Sequence, residues 1–285
     1  MISFVGAGPG AADLITIRGA TRLAQADVVI WASSLVPEAL LEHCRPGVEI
    51  HDSKTMTLED VTRVYSNHPG EAIVRLHSGD PSVYGAIGEQ IDWCLSNDRP
   101  FEIIPGVTSV AAAAAAIRRE LTVPQVAQSL VFTRLAGRTA ASMPPNEGVA
   151  QFSAHGTTMA VFLSAARPQE LQDELLAIGS AYKAETPAAV VARVSWPDEK
   201  IVMTTVGALA AALLELGSTL TVLVLVGDVL AEGPVRARSH LYAPEFTTTY
   251  RLRSTAGTTQ GRASRRSQLG DTNDLNESEP EAAQQ

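Results

Sequence analysis

Short apolar runs alternate with amphipathic stretches along most of this chain. ISFVGAG, DVVIWASS, AIVRL (Ala72–Leu76), FEII, SLVFTRL (Ser129–Leu135), MAVFLSA, AAVVARVSW, KIVMTTV and TVLVLVGDVL have the length and β-branched content of buried strands. Between them, IRGATRLAQA, the segment ending in LEDVTRVYSN, Val83–Leu95, the alanine run Ala111–Ala116, PQELQDELLAIG and VGALAAALLELG carry helical patterns. The turn WPDEK joins two of the strands as an antiparallel pair. The alternation predicts an α/β protein with mixed, mostly parallel sheets. The pattern breaks at a proline within Leu121–Gln128, which divides the chain into domains 1–120 and 121–246. From Thr247 onward large apolar residues almost vanish, and residues 247–285 are expected to be a disordered tail. Its RASRR cluster reads as solvated charge.

Chemistry concentrates where strands end. HSGDPSVYG follows the AIVRL strand: Gly79 permits a sharp turn and a close ligand approach, Asp80 can cap a following helix, and Pro81 suits its first position. A rigid polar turn at the carboxyl edge of a sheet is where α/β folds bind ligands. Thr108 and Ser109 hold the matching place after FEII, able to cap the alanine helix and to face the same ligand. GAGPGA, Gly6 to Ala11, fits the G-x-G-x-x-G/A dinucleotide pattern. The acidic ribose anchor of that pattern is missing, because the next strand ends in Ser33 and Ser34.

Composition narrows the choices. The chain has 285 residues, 45% of them hydrophobic, and a net charge of −9, which argues against nucleic acid or an anionic membrane as partner. Cys44 and Cys94 lie far apart without metal-ligand spacing, and the six histidines show none either, so no metal is expected. The two thiols fit a reduced, cytoplasmic protein, with no signal segment and no apolar run long enough to span a bilayer. No nucleophile–base pair stands out. His77 and His155 are read as hydrogen-bonded structural residues.

GAGPGAADLIT, HSGDPSVYG, PGVTSVAAA, VFTRLAGRT and SWPDEKIVMTTV, taken together in this order and spacing, resemble the tetrapyrrole (precorrin) methyltransferase family over nearly the whole chain apart from the tail. Members acting first on uroporphyrinogen III typically read GGDPFIFGRG and NGT at the second and fifth motifs. This sequence differs at both, and is similar instead to the branch that methylates C11 of precorrin-4 or its cobalt complex. Diphthine synthases and a ribosomal-RNA methyltransferase share the fold. The diphthine type tends to continue its GDP motif with small residues, where Tyr84-Gly85 stands here.

The resemblance implies two α/β domains, S-adenosylmethionine (SAM) in the cleft between them, a homodimer, and a small-molecule tetrapyrrole as methyl acceptor. Carried over residue by residue, it implies cofactor contacts at Pro9, Ser78, Gly79, Asp80, Val83, Thr108, Ser109, Leu163 and Val194. Leu163 and Val194 have no local motif behind them. A polycarboxylate acceptor on an acidic protein needs a local cation cluster, for which Arg134 and Arg138 are the candidates and Arg118 and Arg119 the second option. Three other readings stay open: methylation at another ring position, a dinucleotide-dependent oxidoreductase built on GAGPGA, and a non-catalytic tetrapyrrole carrier.

Overall fold

The computed structural model of the chain describes residues 1–136, 140–233, 239–249, 251 and 253. The chain forms two compact units, Met1–Glu232 and Gly233–Gln285, and the first holds both sheets.

The first sheet is wholly parallel. Its strands β1 (Ile2–Gly6), β2 (Val28–Trp31), β3 (Glu49–Asp52), β4 (Ile73–His77) and β5 (Phe101–Ile104) lie in the order β3-β2-β4-β1-β5. Both faces are covered, as a parallel sheet requires. Val5, Val74, Leu76 and Ile104 pack with Leu23 of helix α1 (Ile17–Gln25) and with Leu40. On the other face, Ile2, Phe4, Ile30 and Ile73 pack with Val61, Val64 and Tyr65 of α2 (Leu58–Asn67) and Cys94 of α3 (Gly88–Ser96). The helix starts are chemically marked. Thr16 accepts from the Gly19 amide at α1, and Thr57 and Asp60 close a reciprocal capping box at α2.

The second sheet comprises β6 (Leu130–Arg134), β7 (Thr158–Phe162), β8 (Pro187–Ala192), β9 (Lys200–Thr205) and β10 (Val222–Val226), in the order β6-β7-β10-β8-β9. β6 and β7 are parallel, and the other neighbours are antiparallel, including the β8–β9 pair. Parallel pairing therefore predominates over the chain and is concentrated in the first sheet. Leu171 and Leu175 of α6 (Pro168–Leu175) and Leu209, Leu213 and Leu216 of α7 (Leu209–Leu216) form a core with Met159, Val161, Val190 and Val224. α4 (Ser109–Ala116) lies against β10, where alanine side chains allow a close approach. The sequence-based division near residue 121 falls in the connection between the two sheets.

Several expectations need correcting. The helix expected from Val83 begins only at Gly88, because Tyr84 and Ala86 have left-handed backbones (φ 54° and 50°) that no α-helix can carry. The strand expected to run through AAVVARVSW stops at Ala192, where Arg193 and Ser195 turn left-handed (φ 49° and 62°). β3 and the short helix α5 (Val149–Ser153) lie in stretches to which the sequence pattern assigned no element. β3 is a polar edge strand, EIHD, and so leaves no apolar run to find.

In the second unit a short 3-10 turn, His240–Tyr242, is capped by Ser239. Arg251 donates to the carbonyls of Leu241 and Ala243, and a tight turn joins it to Thr248. The tail from residue 254, with RASRR, lies outside the described residues.

Candidate functional site

The carboxyl ends of β1, β4 and β5 come together on glycine. Gly8 and Gly79 (φ 79° and 65°) exchange both backbone hydrogen bonds, at 2.8 and 3.2 Å. A methyl group on Gly106 would drive into the Gly79 carbonyl, and one on Gly6 would meet Gly106. Only backbone fits at this crossing, which sets the three loops side by side.

Asp80 fastens them. One carboxylate oxygen accepts from the Ser82 amide and the other from the Gly106 amide, each at 2.8 Å. Asp80 therefore caps a turn, Pro81–Tyr84, rather than the first residues of a helix. At Gly85 an added methyl would collide with the Pro81 carbonyl, so the turn after Asp80 closes only on glycine. His77, one residue before the motif's serine, is buried behind it against Phe4. Burial, with the Arg75 cation adding to it, pushes its imidazole down to about 3. His77 is thus neutral, and its Nε2, which the sequence reading expected to be hydrogen-bonded, is buried without a protein partner. Thr108 caps α4 by accepting from the Ala111 amide, and Ser109 is the first helical residue.

The nine residues carried over from the resemblance all line one cavity of about 220 Å³. Pro9 comes from the first loop, Ser78, Gly79, Asp80 and Val83 from the turn after β4, and Thr108 and Ser109 from the head of α4. Leu163 follows β7 and Val194 follows β8. The sequence reading missed other parts of the lining, among them Tyr84, Phe162, Ser164, Arg193 and Thr221. Leu163, Arg193, Thr221 and Tyr84 all have left-handed backbones, which places four strained residues around one cavity. The hydroxyls of Ser164 and Thr221 are buried on its wall without a protein partner.

A clasp joins the first loop to the β8–β9 turn. The Trp196 indole N–H donates to the Pro9 carbonyl at 3.1 Å, and the Ser195 hydroxyl accepts from the Ala11 amide at 2.9 Å. The Arg193 guanidinium covers the indole at 4.0 Å and pairs with Asp198 at 2.6 Å. Gly10 leaves room for the indole, which a side chain there would displace.

The candidate substrate cations fare differently. Arg134 ends β6, off the cavity lining, and donates to the Ser142 hydroxyl at 3.0 Å. Arg138 lies outside the described residues. Arg118 and Arg119 follow the end of α4 rather than riding on it, and neither lines the cavity.

The ionisable groups of the lining are Asp80, whose two oxygens hold backbone amides, Tyr84 and Arg193. Burial holds the Tyr84 phenol above its ordinary value. Such a cavity is equipped to bind and orient a ligand with polar ends and an apolar middle, with Val83, Leu163, Val194 and Leu223 as walls. Among the described residues no group of His, Cys, Asp and Glu side chains forms a metal-holding cluster.

A family model described as tetrapyrrole (corrin/porphyrin) methylases matches residues 1–210. The chain is 44% identical over 252 residues to a cobalt-precorrin-4 C(11)-methyltransferase of Methanocaldococcus jannaschii, covering 88% of this chain and 95% of that one. It is 42% identical over 253 residues to a precorrin-4 C(11)-methyltransferase of Pseudomonas aeruginosa, covering 88% and 98%. Among solved structures, a cobalt precorrin-4 methyltransferase superposes with a TM-score of 0.77 at 40% identity, over 81% of this chain and 96% of that one. A uroporphyrin-III C-methyltransferase from Thermus thermophilus, complexed with S-adenyl homocysteine, superposes with a TM-score of 0.68 at 28% identity, over 81% and 95%.

Proposed function

The chain belongs to the tetrapyrrole (corrin/porphyrin) methylase family, and we propose that it transfers a methyl group from SAM to C11 of precorrin-4 in corrinoid biosynthesis. The names of its relatives support that position, and the uroporphyrin-III methyltransferase held with S-adenyl homocysteine supports the donor. The observation that carries the reading is the convergence of nine residues, from Pro9 to Val194, on one cavity.

The residues fit such a donor. Two orphaned hydroxyls, Ser164 and Thr221, wait on one wall for polar partners, and the capped head of α4 offers Thr108 and Ser109 on another. Bound SAM supplies a methyl already activated by its sulfonium charge. What remains for the protein is positioning, which can contribute about 7–11 kcal/mol when the reacting atoms are held about 3–3.5 Å apart. Asp80 orders the loops through two backbone amides, the glycine crossing lets backbone approach closely, and the apolar walls exclude water. No strong base is needed if the acceptor carbon is electron-rich, which agrees with a lining that holds none beyond the occupied Asp80.

Arg134 and Arg138 are proposed to meet the acceptor's carboxylates. The protein is further proposed to act as a cytoplasmic homodimer. Among the described residues no helix is long and apolar enough to cross a membrane, and Ile201 and Met203 on edge strand β9 offer apolar surface for a second copy. A sedimentation run that gives only the monomer would remove the dimer from the proposal.

Calorimetric titration with SAM, followed by turnover of precorrin-4 and of its cobalt complex, tests the assignment. Wild type should bind SAM, and Asp80→Ala should weaken binding at least tenfold, since it leaves two amides without acceptors at about 1–3 kcal/mol. Binding of NADH or FAD in place of SAM would overturn the assignment.

A further inference from the structure

Large apolar side chains exposed singly on a surface need no explanation, but a contiguous group beside a cavity does. Leu35, Tyr84 and Leu163 are 42%, 48% and 69% exposed, and all three line the same cavity. Tyr84 and Leu163 are also held in left-handed backbone (φ 54° and 52°), a conformation that bulky residues rarely adopt. From this lip an aromatic series leads away from the cavity. The Tyr84 and Phe162 ring centroids are 4.9 Å apart, and those of Phe162 and Phe132 are 5.9 Å apart. Phe132 is 38% exposed and does not line the cavity.

A cation accompanies the series. Arg134 stands two residues from Phe132 on β6, hence on the same face of the sheet, and is the register partner of Phe162 on β7. It also acts electrostatically on the Tyr84 phenol. A flat apolar strip with a guanidinium beside it complements a conjugated ring that carries carboxylates.

We propose that Tyr84, Phe162 and Phe132 form a stacking strip on which the methyl acceptor lies, with Tyr84 as the positioning residue that decides which ring carbon faces the cavity. The inference rests on the methyltransferase reading and adds to it the surface that selects the acceptor. The acceptor carbon has to come within bonding approach of a donor inside the cavity, so the ring must lie across the mouth. Tyr84 and Phe162 belong both to the cavity wall and to the strip, whereas Phe132 extends the strip beyond the donor's reach.

The test separates acceptor from donor by comparing Phe132→Ala, Tyr84→Leu and Tyr84→Phe with wild type. For each protein the SAM affinity is measured by calorimetry, KM and kcat for precorrin-4 are determined, and the methylated position is assigned by nuclear magnetic resonance. Phe132→Ala should bind SAM as wild type does and raise the acceptor KM about three- to tenfold, the usual yield of one aromatic contact. Tyr84→Leu should raise KM by a similar factor and lower kcat or spread methylation to a second carbon, and Tyr84→Phe should restore both. An unchanged acceptor KM in both Phe132→Ala and Tyr84→Leu overturns the strip. A loss of SAM affinity in Phe132→Ala equal to its loss in acceptor affinity overturns it too, because the residue would then serve the fold or the donor. Failure of wild type to bind SAM at all would instead strike at the methyltransferase reading beneath it.

Discussion

Asp80 and His77 show how one short segment divides its work between holding the site and supporting it from behind. Asp80 spends both carboxylate oxygens on backbone amides, so its charge organises loops rather than moving protons. His77 gives the fold a pH dependence. Its imidazole is pushed down to about 3 by burial and by Arg75, whereas an unfolded histidine titrates near 6.5. Between those values the unfolded chain binds a proton that the folded one refuses. The His77 contribution is therefore fully present above about pH 6.5 and is lost as pH falls toward 3. Urea unfolding between pH 7 and pH 4 should show stability falling by up to roughly 1.4 kcal/mol per pH unit from this residue. His77→Gln should flatten that part of the profile.

At the scale of elements, the β8–β9 turn is the piece to disturb. Trp196→Phe keeps the packing over Gly10 but removes the bond to the Pro9 carbonyl. It should cost about 1 kcal/mol in thermal stability and weaken SAM binding, while Trp196→Ala should cost more on both counts. What could be read from sequence followed the same division. Strands with continuous apolar runs, such as VLVLV and VVIW, announced themselves, and α2 did so through the amphipathic pattern of LEDVTRVYSN. The polar β3 had no such signal, and the left-handed residues that cut short the expected helix at Val83 and the strand at Arg193 are ordinary residue types in the sequence. The motif half of the cavity, Pro9 and Ser78 to Ser109, was legible through the family resemblance, because on their own its aspartate and hydroxyls read equally as caps of turns and helices. Ser164 and Thr221 were not, since their importance lies in what the fold denies them, a partner.

For the whole molecule, SAM should act as a stabilising ligand because its proposed contacts come from both sheets. At a concentration one hundred times its Kd it should add about 2.7 kcal/mol to unfolding, provided the unfolded chain does not bind it. Differential scanning calorimetry with and without SAM measures this directly, and Asp80→Ala should reduce the shift. The clasp between the first loop and the β8–β9 turn also bears on how the protein is made. Pro9 and Ala11 meet Trp196 and Ser195 across 187 and 184 residues of chain. The first sheet is complete at Ile104, so it can assemble while about ninety residues remain to be synthesised before Trp196 appears. At ribosomal rates that interval is roughly 5–20 s. Through it the glycine crossing and the Asp80 turn stand without the wall they are to face, and methyl donor in the cell cannot stabilise the nascent chain. The site is a late product of biosynthesis, closed by the last third of the chain rather than prepared by the first.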